Sequence, residues 1–253
     1  MKIKLMSFNV RTYAECDGIN RFDFRIPRIK EAIFAEKPDV IGFQELSDKM
    51  NEPLSAAIKS KYIVVGTGRE QDLAGEGARI AYRKDKFELM RLETRWLSET
   101  PRVPGSRYSV DQSTCPRVYT VAELVEKRTR KVFRVYNTHF DHKGECARLS
   151  AAVQMVQAVT CDNAAFRLPN VLMGDLNARP DAAPITTLAA YLRDITADIG
   201  GTFHDFGRRT EPSKIDYIFT DAKSPAPSYT VQDIPVNGVY ISDHYPVCGF
   251  IEI

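Results

Sequence analysis

Three of the chain's four histidines sit among acidic and amide residues at the ends of apolar, strand-like runs. Gly174-Asp175-Leu176-Asn177 follows Val171-Leu172-Met173. Side chains alternate along a strand, so Asp175 and Asn177 point the same way at its end. A carboxylate and a carboxamide side by side can hold a water and a phosphate oxygen; the plain alternative is an Asx-rich turn. Asn137-Thr138-His139-Phe140-Asp141-His142 closes the run that begins at Val132. Period two puts Asn137, His139 and Asp141 on the face opened by Phe133 and Val135, so an apolar face turns polar at its end. Ser242-Asp243-His244 stands before the last strand, either as metal ligand plus catalytic imidazole or as a polar turn.

Two further carboxylates end or interrupt apolar runs: Glu45 after Val40-Ile41-Gly42-Phe43-Gln44, and Asp216 within residues 215–219. Acidic side chains are seldom buried without a partner or a metal. Asn9 follows Met6-Ser7-Phe8 and reads as a ligand or as a turn-capping amide. Carboxylates, amides and imidazoles are the groups that hard, oxygen-seeking cations and phosphate require. No thiolate belongs to the set, so Mg²⁺ or Mn²⁺ is expected over zinc. The expectation is a divalent-metal-dependent phosphoesterase.

These residues need strands to hold them. Runs rich in β-branched and aromatic residues recur at 3–10, 40–43, 62–65, 79–82, 118–124, 132–140, 171–173, 215–219 and 247–253. Helical spacing appears at 26–36, where Pro38 stops it, at 146–159, and more briefly at 185–192. Strands outnumber helices by about two to one and do not alternate strictly with them, which favours an α+β sandwich with outer helices over a doubly wound parallel sheet. Residues 101–115 read as a surface loop. No repeat or long linker divides the 253 residues, so one domain over 1–253 is expected.

Composition narrows the partners. The 35 basic and 33 acidic residues leave a formal charge of +2, without the basic excess of a protein that grips a long duplex. Lys127-Arg128-Thr129-Arg130-Lys131 reads as an exposed hairpin turn, not as a nucleic-acid patch. Five cysteines with no CxxC spacing argue against a disulfide framework or zinc. No apolar run reaches the length of a membrane span. The first ten residues lack the features of a signal peptide, so a cytoplasmic location is the default expectation, as is a monomer.

The ordered set Phe8-Asn9, Gln44-Glu45, Asn137-Thr138-His139, Gly174-Asp175-Leu176-Asn177, Ile215-Asp216-Tyr217 and Ser242-Asp243-His244 resembles the endonuclease/exonuclease/phosphatase superfamily, whose fold is deoxyribonuclease I-like. Gly66-Thr67-Gly68-Arg69, the segment from Trp96 to Pro101, His139-Phe140-Asp141-His142 and Thr202-Phe203-His204 are similar to a bacterial subgroup near its deadenylase-type members. The apurinic endonucleases carry a tyrosine where this chain has His139, so the likeness is to the phosphatase, sphingomyelinase and deadenylase branches. The resemblance implies a four-layer α/β-sandwich, two packed and mainly antiparallel sheets flanked by helices. It implies that Glu45, with Asn9 and Asp243, holds Mg²⁺ or Mn²⁺. Asp175 would orient or deprotonate the attacking water and Asn177 would fix a non-bridging oxygen. His244 would face the phosphate, with Asp216 favouring its charged form, and His139 would act near the leaving group. Glu76 is similar to a histidine-orienting glutamate. Arg69, Asp141, His142 and His204, as subgroup features, would read the substrate. Arg148, early in the 146–159 helical run, is either a phosphate contact or a solvated side chain.

Three functions follow. The first is hydrolysis of a phosphodiester in a small molecule, a glycan or a lipid head group. The second is a nuclease, chiefly a single-strand 3′–5′ exonuclease or an endonuclease, with Trp96, Tyr108 and Phe203 stacking on bases. The third is a non-catalytic phosphate-binding module, which would be expected to have lost a ligand; every position of the set is filled.

Overall fold

The structure, a computed structural model, describes residues 1–253. In chain order the elements are β1 (Lys2–Asn9), α1 (Phe22–Glu36), β2 (Val40–Ser47), α2 (Asp48–Ile58), β3 (Tyr62–Val65), β4 (Glu76–Arg83), β5 (Phe87–Trp96) and β6 (Val118–Glu126). They continue with β7 (Val132–His139), α3 (Glu145–Ala165), β8 (Asn170–Asp175), α4 (Ala183–Ala189), β9 (Arg193–Asp194), β10 (Asp216–Thr220), β11 (Tyr229–Thr230) and β12 (Val247–Glu252).

The strands form two six-stranded sheets, ordered β11-β12-β1-β2-β4-β3 and β5-β6-β7-β8-β10-β9. Each contains one parallel pair, β1 with β2 and β7 with β8; every other pairing is antiparallel. A parallel pair needs a crossover, and α1 and α3 supply the two.

Period-two burial builds the layers. In β1, Ile3 and Leu5 enter the core between the sheets, while Met6 and Phe8 face α1 and α2. In β8, Val171 and Met173 point between the sheets and Leu172 toward α3 and α4. β10 repeats the division, with Ile218 inward and Tyr217 and Phe219 outward. Three apolar cores thus lie between four layers, helix, sheet, sheet and helix, and each fully buried Ile, Leu or Phe contributes about 1.5–3 kcal/mol. The expected sandwich is confirmed.

The inter-sheet face of each central strand turns polar toward one common end. Ile3 and Leu5 lead to Ser7 and Asn9; Phe133 and Val135 lead to Asn137 and His139; Val171 and Met173 lead to Asp175. Asn137 joins the sheets inside the core. Its amide nitrogen donates to the carbonyls of Phe43 and Arg79, both at 2.8 Å, and its oxygen accepts from Gln44 at 2.6 Å. Gly42 makes room for it, because a Cβ there would stand 2.6 Å from the Asn137 amide oxygen.

Four elements depart from the sequence expectation. There are twelve strands against four α-helices, and the strands β5, β9 and β11 were not expected. β5 inverts the usual strand pattern: Met90 and Leu92 are exposed, while the partly buried face carries the ion pairs Arg91–Glu93 and Arg95–Glu93 in place of apolar residues. α2 was also unexpected, because only Met50, Leu54 and Ile58 mark its buried stripe and Pro53 interrupts it.

Candidate active site

The polar ends of the strands open into a cavity of about 390 Å³, lined by Arg11, Thr12, Glu45, Arg69, Glu76, Cys115, Arg117, His139, His142, Asp175, Asn177, Phe203, Ile215, Asp243 and His244. Glu45 reaches it through a backbone irregularity. The pairing of β2 with β4 slips between Phe43 and Leu46, and Glu45 itself has φ 62°. Such a bulge re-aims a side chain and stores strain that neighbouring structure must hold. Here it turns Glu45 to the cavity while Leu46 stays in the helix-facing core. Arg11 and Asn177 also line the cavity with positive φ, 53° and 47°. Gly174 permits the close approach of β8 to β7: a Cβ there would lie 2.0 Å from the Thr138 carbonyl oxygen.

Asn9 ties two carboxylates together across the sheets. Its amide nitrogen donates to Glu45 Oε1 and to Asp175 Oδ2, each at 3.0 Å, and its oxygen accepts from the Arg11 backbone at 2.9 Å. Asn9 therefore presents hydrogens toward Glu45, and positions the carboxylate instead of offering it an oxygen ligand beside it. The other Glu45 oxygen accepts from the Thr12 backbone N–H at 2.6 Å. Burial would raise the Glu45 pKa, but these hydrogen bonds hold it below the usual carboxylate value. Burial raises Asp243 and Glu76, and the nearby Glu45 charge raises both further.

Opposite them lies a carboxylate–imidazole chain. His244 Nδ1 donates to Asp216 Oδ2 at 2.8 Å, and its Nε2 stands 3.8 Å from Asp175 Oδ2. Burial would depress the His244 pKa, yet the Asp216, Asp175 and Asp243 carboxylates push it up to about 10. Asp175 is raised to about 7, by burial first and then by the Asp216 charge. His139 Nε2 is 3.6 Å from Asp175 and 3.0 Å from the Asn177 amide nitrogen. Burial, with Arg117 and Arg69 nearby, holds His139 well below its ordinary pKa and so neutral. Asn177 also donates to the Phe140 carbonyl at 3.1 Å, so it must release one of these partners to reach a phosphate oxygen.

The loops around the cavity are fastened by buried polar groups. Arg25 is fully buried, and its guanidinium donates to the carbonyls of Asn20, Val10, Ile241 and Arg11. It thereby holds the chain just after Asn9 and just before Asp243.

Several expected substrate readers turn out to have other tasks. Asp141 accepts from the backbone N–H groups of Ser113, Lys143 and Gly144 and from the Ser113 hydroxyl, pinning the loop of residues 97–117 to the start of α3. The strand ends at His139, so the period-two face does not continue to Asp141. His204 is buried, its ring stacked on Tyr245 at 4.1 Å, outside the cavity lining. Glu76 orients no histidine; its partner is Arg69, at 2.7 Å. Arg148 donates to the Asp141 carbonyl and faces a neighbouring groove with Arg179. Trp96 is 4% exposed, too buried to stack on a base, and its indole N–H donates to the Arg69 carbonyl at 2.6 Å. Tyr108 turns its hydroxyl to Gln154. Arg69, His142 and Phe203 do line the cavity.

Sequence reading missed Arg11, Thr12, Cys115 and Arg117. Arg117 left one signal, a lone arginine directly before a wholly buried strand.

Residues 6–244 match the endonuclease/exonuclease/phosphatase family. The chain belongs to this family. A family member from Bacteroides vulgatus superposes with a TM-score of 0.91 at 30% identity, over 100% of this chain and 99% of that one. A Bacteroides thetaiotaomicron mannosyl-6-phosphatase gives 0.85 at 26% identity, over 99% of this chain and 100% of that one. The human Nocturnin catalytic domain, at 17% identity and 0.72 over 99% and 94% of the two chains, shares the fold. Members of the family are hydrolases of phosphate esters and typically use divalent metals. No helix of this member is long and apolar enough to cross a membrane.

The residues present fit such a metal. Glu45 and Asp243 offer carboxylate oxygens whose mutual repulsion a divalent cation would relieve. Asp175, Asp216 and His244 form a second grouping, with potential ligand atoms within 4.8 Å of one another. In that grouping His244 Nδ1 is already bonded to Asp216, and the surrounding carboxylates favour the protonated ring.

Proposed function

We propose that the protein hydrolyses the phosphate ester of a small molecule by metal-assisted in-line attack of water, with a phosphorylated sugar as the substrate class best supported. The observation behind this reading is the polar cavity itself, with the Glu45 and Asp243 carboxylates on one side and Asp175, His139 and His244 on the other. Glu45 and Asp243 would hold Mg²⁺ or Mn²⁺, positioned by Asn9, and the bound ion supplies stabilisation of charge on the phosphoryl and leaving oxygens. Asp175 orients the attacking water and accepts its proton; a carboxylate titrating near 7 suits that task. His244 presents its Nε2–H to a phosphoryl oxygen while Asp216 keeps the imidazole charged. Neutral His139, held by Asn177, stands at the leaving-group side.

The sugar phosphate is favoured by the mannosyl-6-phosphatase, similar over the full length of both chains. A phosphodiester in a glycan or lipid head group, or a single nucleic-acid strand, is the alternative. It has less support, because Trp96 and Tyr108 do not face the cavity and only Phe203 remains for stacking. The test is a panel with Mg²⁺ of hexose phosphates, nucleoside monophosphates, bis-p-nitrophenyl phosphate and single-stranded DNA and RNA. Highest kcat/KM on hexose phosphates supports the proposal; preference for a strand overturns it.

A further inference from the structure

Three arginines face the cavity, and they are not equally occupied. Arg11 Nε and Nη2 donate to Asp17, each at 3.1 Å. Arg69 pairs with Glu76 but leaves its buried Nε without a hydrogen-bond acceptor. Arg117 is 4% exposed, yet both its Nε and its Nη1 lack an acceptor; Nη2 alone is bonded, to His142 Nδ1 at 2.8 Å. Asp141 Oδ2, which also accepts from the Ser113 hydroxyl, forms an ion pair with Nε at 3.6 Å, too long for a hydrogen bond. A buried guanidinium with unmet donors is costly unless an anion completes it. Asp141 offsets part of the charge at a distance, but neither Nε nor Nη1 has a hydrogen-bond acceptor, and Arg117 lines the cavity.

We propose that Arg117, with Arg69 beside it, receives the terminal oxygens of a doubly charged phosphate and so selects phosphomonoesters over phosphodiesters. This rests on the phosphoesterase reading above. A monoester phosphate carries close to two negative charges at neutral pH, against one for a diester, and leaves its non-bridging oxygens free to accept. A diester places a second substituent on one of them. The selection rests on the second charge and the additional accepting oxygen, which only the monoester brings to the two arginines. The position is built for the purpose. Trp96 fixes the Arg69 carbonyl, and Asp141 fixes the loop from which Arg117 emerges.

The test compares p-nitrophenyl phosphate with methyl p-nitrophenyl phosphate, at saturating Mg²⁺, in wild type, Arg117→Gln and Arg117→Lys. Binding of inorganic phosphate is followed by calorimetry in the same proteins. The wild type should prefer the monoester, and Arg117→Gln should reduce the monoester-to-diester ratio of kcat/KM by about 100-fold, the scale of losing one buried charged partner. Arg117→Lys should recover part of it, and phosphate affinity should fall at least about tenfold in Arg117→Gln. An unchanged ratio, or unchanged phosphate affinity, in a folded Arg117→Gln overturns the proposal. Phosphate binding that depends on Arg117 in a protein hydrolysing neither ester contradicts the proposed function but leaves the subsite standing.

Discussion

His244 Nδ1 lies 2.8 Å from an Asp216 carboxylate oxygen, with both side chains almost wholly buried. Asp216 also starts the strand that pairs with β8 in register with Asp175, so one strand end fixes both the imidazole and the carboxylate it faces.

That pairing sets a pH dependence. The folded pKa of His244, about 10, lies above the ordinary value of about 6.5. The stabilisation from its charge is therefore complete below the unfolded value and is lost as pH rises through the folded one. Activity that needs the imidazolium should persist well above neutrality in the wild type. Asp216→Asn should move the alkaline limb of kcat/KM down by more than one unit and lower kcat at pH 8.5 by about 100-fold. A pH–rate profile from 6 to 10.5 checks this; an unmoved limb would mean that Asp216 does not sustain the charge.

Arg25 should matter to metal binding although it touches no expected ligand. Arg25→Met leaves four backbone carbonyls without their donor and frees the segments beside Asn9 and Asp243. The expected loss is about 3–5 kcal/mol of stability, read from urea unfolding. Where the variant stays folded, the rise in Tm with added Mg²⁺ should need at least about tenfold more metal, as for other supports of a metal ligand.

The layers were legible in the sequence because a buried strand advertises itself by period-two burial, as in Ile3, Leu5 and Val171, Met173. The same rule exposed the site, since Asn9, His139 and Asp175 continue those faces where the apolar core ends. It failed where the chain leaves the strand. Asp141 looks like the next residue of the His139 face, but after the strand ends its direction is set by the loop it anchors. His204 looks like a substrate reader by its likeness to the bacterial subgroup, whereas its ring is packed against Tyr245. Arg117 was barely legible for the converse reason: it stands between the 101–115 loop and a buried strand, and only the fold reveals that two of its buried nitrogens have no hydrogen-bond partner. The positive φ of Glu45 leaves no mark in its residue type either.

The most direct test of a metal-assisted hydrolase with Asp175 at its centre is turnover of p-nitrophenyl phosphate by metal-stripped wild type and Asp175→Asn, each before and after Mg²⁺ is restored. Wild type should be silent in EDTA and recover with Mg²⁺. Asp175→Asn should keep its Mg²⁺-dependent rise in Tm yet lose about 1,000-fold or more in kcat. Full turnover in EDTA, or an undiminished Asp175→Asn, would contradict the account.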